Sequence, residues 1–130
     1  SGRFDDAVAA LSRAIPHTKS SWTCYLRGLC YLALGQAEQA RSDFAVAIER
    51  ARASLSSEPQ EAREQFNLAL YLLVTGQTDP ALQAYQMGLT MNPDHTDLRD
   101  ALEELADLRE QMGQTPGLEE AEKLVKAQAA

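Results

Sequence analysis

Apolar positions recur along this chain at helical spacing, and the recurrence itself repeats. After Gly2 come Ala7, Leu11 and Ala14; after Gly35 come Ala40, Phe44 and Ala47; after Gly76 come Ala81, Tyr85 and Gly88, at offsets of 5, 9 and 12 each time. Steps of four and three set a small, a large and a small residue on one stripe, which predicts three helices that each approach a neighbour closely. Gly28 and Tyr31 precede Gly35 by seven and four, and Leu68, Ala69 and Leu72 precede Gly76 by eight, seven and four, so each module reads as a helical hairpin. Glycine breaks it because it takes the left-handed conformation after a helix without a Cβ penalty. Leu34-Gly35 and Thr75-Gly76 are thus helix stops, with Asp79 as cap and Pro80 as first residue of the helix after the second stop.

The pattern varies towards the C-terminus. Gly2 to Gly35 is 33 residues but Gly35 to Gly76 is 41. The excess falls in residues 49–64, where Ala51, Ala53 and Leu55 lengthen a helix ahead of the stop-and-start signal Ser56-Ser57-Glu58-Pro59. Beyond Pro93, the residues Leu98, Ala101, Leu102, Leu105, Leu108 and Met112 form another stripe, which ends at Gly113. Thr115-Pro116-Gly117 then starts a last helix carrying Leu118, Ala121, Leu124 and Val125. An all-α chain of about seven helices is expected.

These residues resemble the tetratricopeptide repeat, a helical hairpin of about 34 residues. Residues 21–54 match through Gly28, Tyr31, Gly35, Ala40, Phe44 and Ala47, and residues 62–95 through Leu68, Ala69, Gly76, Ala81, Tyr85 and Pro93. Residues 2–18 give a half-repeat, 55–61 an inserted extension, and 96–130 a degenerate capping hairpin with Glu122 where an aromatic would sit. Departures are Arg27 for Leu, Leu72 for the aromatic, Gly88 for the second Ala, and Arg52 for the closing Pro. The resemblance implies a single domain, a right-handed α-solenoid of antiparallel hairpins. Because the chain opens inside a module, it is expected to be part of a longer protein.

In that family the first helix of each hairpin lines a concave groove for a partner's peptide. The resemblance makes Trp22, Tyr25, Leu29 and Leu32 the candidates in the first hairpin, and Arg63, Phe66, Asn67, Leu70 and Leu73 those in the second. Asp100, Glu103, Asp107 and Glu110 follow in the third. The segment from Leu68 to Val74 is apolar nearly all round and needs covering, either by the chain itself or by a partner. The family's clamp for acidic chaperone tails is not met. Asn67 fits, but Tyr25, Leu29, Asp100 and Glu104 stand where the clamp has cationic or amide groups.

Composition supports the helical reading, with 21 Ala and 18 Leu against six Val plus Ile. The net charge of −7 lies wholly in the second half, since residues 1–65 hold eight basic and eight acidic residues and residues 66–130 hold four and eleven. Asp97, Asp100, Glu103, Glu104, Asp107 and Glu110 share one face. Excess carboxylates repel phosphate, so nucleic acid and anionic membranes are disfavoured and a protein or peptide with apolar and basic residues is the expected partner. Self-association through the unpaired first helix, with Val8, Leu11 and Ile15, is the alternative.

Chemistry-bearing residues are sparse. His17 and His95 fall at hairpin junctions, and Cys24 and Cys30, six apart beside Trp22, Tyr25 and Tyr31, are expected to be buried thiols. The chain holds no zinc-protease, phosphate-loop or nucleophile-elbow motif. A non-catalytic chain without cofactor or metal is expected, in a reducing compartment, the cytoplasm by default. No window is long and apolar enough for a bilayer span.

Overall fold

A computed structural model describes residues 2–130; Ser1 lies outside them. Seven α-helices and one short 3₁₀ turn form the described chain, with no strand among its residues. They are α1 (Gly2–Ala14), the turn Ile15–His17, α2 (Ser21–Ala33), α3 (Ala37–Ser57), α4 (Ala62–Val74), α5 (Thr78–Leu89), α6 (His95–Met112) and α7 (Leu118–Ala129). The chain divides into two compact units, residues 1–53 and 54–130, the division falling inside α3.

Both glycine turns close alike. Gly35 and Gly76 have φ of 75° and 81°. The N–H of Gln36 donates to Tyr31 O at 2.8 Å and that of Gly35 to Leu32 O at 3.0 Å; Gln77 and Gly76 repeat this on Leu72 and Leu73 at 2.9 and 3.1 Å. These paired bonds satisfy carbonyls that a helix end would otherwise leave free. They also correct the expected cap of α5: its N-cap is Gln77, not Asp79. The turn has already fixed Gln77, whose carbonyl accepts from Ala81 N at 2.9 Å. Pro80 then occupies the third helical position, where an N–H has no partner within the helix anyway.

The surplus before Gly76 lengthens α3 to 21 residues, against 12 in α5. Helix α3 stops at Ser57 as the Ser-Ser-Glu-Pro signal predicts, and α4 begins after Glu61. Asp94 caps α6 in a reciprocal box: Asp97 N donates to Asp94 Oδ1 at 2.8 Å, and Asp94 N to Asp97 Oδ2 at 3.2 Å. Asp97 is thereby engaged at the helix start.

In the first unit, Phe44 of α3 sits against Gly28 of α2, where a Cβ would lie 2.5 Å from the ring, and Tyr25 stacks obliquely on Phe44 at 5.7 Å. Arg27 ties three helices. Its Nε and Nη2 donate to Asp43 of α3 at 2.8 and 2.7 Å, and its Nη1 to Ser12 Oγ of α1 at 3.0 Å. In the second unit the ring and the glycine change places: Phe66 of α4 fills the space left by Gly88 of α5, where a Cβ would lie 2.6 Å from the ring. Helices α5 and α6 pack on α4, and α7 packs on both α5 and α6.

Candidate protein-binding surface

Helix α4 is buried without a break from Gln65 to Leu73. Its covering is therefore supplied by the chain itself, which settles the need posed by the apolar run and changes the candidate list. Phe66, Asn67, Leu70 and Leu73, like Tyr25 on α2, are interior residues. Phe66 meets Tyr85 at 6.1 Å and the glycine space of α5, while Tyr25 meets Trp22 at 5.0 Å and Phe44. All five are buried in the chain by itself, so a partner would have to displace core side chains to reach them.

The remaining candidates are reachable. Trp22, Leu29 and Leu32 on α2 are half-buried, as are Arg63 on α4 and Asp100 on α6, while Glu103, Asp107 and Glu110 are exposed. Within the second unit the structure brings Arg63 together with α6: Nη1 lies 3.4 Å from Asp100 Oδ2, and Nη2 donates to Glu104. Asp100 and Glu104 are one turn apart on the same face. Two side-chain atoms are buried here without a hydrogen-bond partner, Arg63 Nη1 and Asn67 Oδ1. The Nη1 contact with Asp100 is thus an ion pair lacking hydrogen-bond geometry.

The electrostatics single out Glu104. Burial pushes its carboxyl up to about 7; Asp100 and Asp107 push the same way, and Arg63 opposes them by charge and hydrogen bond. The sequence placed Glu104 on the acidic face but carried no sign of its burial. It also missed the Arg27–Asp43 pair, whose only signal was opposite charges at hairpin-facing positions.

Nothing in this arrangement resembles an activated nucleophile. Cys24 is buried and Cys30 half-buried, and desolvation raises both thiols above their usual range, with Arg50 and Arg27 partly offsetting this at Cys24. His17 ends the 3₁₀ turn and His95 begins α6, both exposed. Among the described residues no group of three or more His, Cys, Asp or Glu is placed to hold a metal ion. Nor is any helix of the described residues long and apolar enough to cross a membrane.

Helical hairpins with glycine turns, and rings interlocked with small residues, define a helical-repeat protein. The tetratricopeptide repeat family model matches residues 32–96, half of the chain, and the chain belongs to that family. No curated protein matches it. Repeats of this family generally mediate protein–protein interaction and are generally non-catalytic.

Proposed function

We propose that the chain docks a segment of a partner protein that carries both apolar and basic residues. The basic residues meet Asp100, Glu103 and Asp107 of the second unit, beside Arg63. The first unit, taken by itself, offers Trp22, Leu29 and Leu32 to apolar residues. Tyr25, Phe66, Asn67, Leu70 and Leu73 hold these helices in shape from within. One observation carries the choice of a basic partner: α6 sets Glu103 and Asp107 in solvent next to a half-buried Asp100, a row of carboxylates that attracts Lys and Arg at short range.

Fluorescence anisotropy with labelled amphipathic peptides, one set bearing Lys and Arg and a matched set bearing Asp and Glu, tests this. The basic set binds more tightly, and the double change Asp100→Lys, Asp107→Lys weakens it by about tenfold or more, or ~1.4 kcal/mol. Equal binding of the two sets, or an unaffected double variant, would sink the reading. Phe66→Ala is unsuitable as a binding test, since a core ring is lost.

Self-association is the second reading, and one observation favours it. No residue of α1 is buried, and its apolar Phe4, Val8 and Leu11, with Ile15 of the turn that follows, are only half-covered. Sedimentation at increasing concentration decides it: a chain that stays monomeric throughout removes this alternative.

A further inference from the structure

Arg63 is the only cation of α4, and α6 offers it more negative charge than it can neutralise. Asp100 and Glu104 converge on one guanidinium, and Asp107 follows less than a turn beyond. Asp100 has weak help from Arg99, 3.8 Å away and largely exposed. The one acid of α4, Glu64, accepts from Asn67 Nδ2 at 3.0 Å. On α7, Glu122 pairs with Arg109 and Glu119 with Lys123; Glu120 and Lys126 of α7 are exposed. The charges acting on Glu104 are Arg63, Asp100 and Asp107. Its side chain is only 13% exposed, so water cannot make up the deficit.

We propose that Glu104, buried beside Asp100 on the one guanidinium of Arg63, is a proton-operated latch at the seam of α4 and α6: the neutral acid holds α6 firmly against α4, and its ionisation loosens that seam. A proton relieves the excess negative charge while leaving a carbonyl oxygen to accept from Arg63. The direction of Glu104's titration agrees, because its carboxyl is raised to about 7. A group raised in the folded state contributes stability that is fully present below its unfolded value, about 4.3, and lost as pH rises through the folded value. The second unit is therefore firmer in mild acid than in mild base. The latch does not depend on the partner reading, and its test needs no partner.

Carbon-detected NMR of the Glu104 side-chain carboxyl in the whole chain reads the titration directly. A midpoint near 7 is expected; one in the ordinary range, near ~4.3, overturns the proposal. Urea unfolding gives the consequence. The wild-type midpoint falls between about pH 6 and about pH 8, and Glu104→Gln, which mimics the neutral acid, loses that fall. His17 and His95 are common to both proteins, so the difference between the two slopes belongs to Glu104. Equal slopes overturn the latch.

Discussion

Two glycines inside helices illustrate how a single missing methyl shapes this protein. Glycine in a helix interior is unfavourable by roughly 0.5–1 kcal/mol relative to alanine, yet Gly28 and Gly88 each lie beneath a phenylalanine ring, Phe44 and Phe66. Filling either space forces a packed ring aside. We expect Gly28→Ala and Gly88→Ala each to destabilise by ~1–3 kcal/mol in urea titrations, despite the better helix former. A neutral result would mean that the rings can swing away freely. The sequence showed Gly88 only as a departure from the repeat, because which ring faces it depends on the register between two helices. The same difficulty affects the candidate surface. Spacing put Phe66, Leu70 and Leu73 on one helix with Arg63, but not under its neighbours.

Helices and turns were the most legible level. The seven elements, the glycine stops and the end of α3 follow from residues close in sequence, where capping and left-handed glycine act. Links between helices were not legible, and Arg27 is the clearest. With Asp43 only 4% exposed, removing the guanidinium strands a buried charge. Arg27→Leu, although it restores the residue usual at that repeat position, should destabilise by ~3–5 kcal/mol; Arg27→Leu with Asp43→Leu should recover most of this. A double-mutant cycle measures both, and a mild single mutant would show that Asp43 finds water instead. At the start of α6, Asp94→Ala breaks the capping box and is expected to lower stability by about 1 kcal/mol. An unchanged unfolding midpoint would contradict that role.

For the whole molecule, charge is distributed by unit. Residues 1–53 hold seven basic and five acidic residues, and residues 54–130 hold five and fourteen. Like charge so concentrated destabilises the compact state through self-repulsion, and salt screens it over about 10 Å at 0.1 M. Thermal stability of the second unit should rise with added sodium chloride from low to physiological strength; a fall would mean that its ion pairs outweigh the repulsion. The imbalance was visible in the sequence. The division into units was not, because it lies within α3, where the helical pattern runs on uninterrupted.

The clip made by Arg27 also bears on how the protein is born. Its bonds to Ser12 and Asp43 span no more than 16 residues. A chain leaving the ribosome can close them once Asp43 has emerged, while α4 is still to emerge. Domains generally form from the N-terminus during synthesis. The buried charge of Asp43 thus meets its partner early, and no later segment is needed to neutralise it.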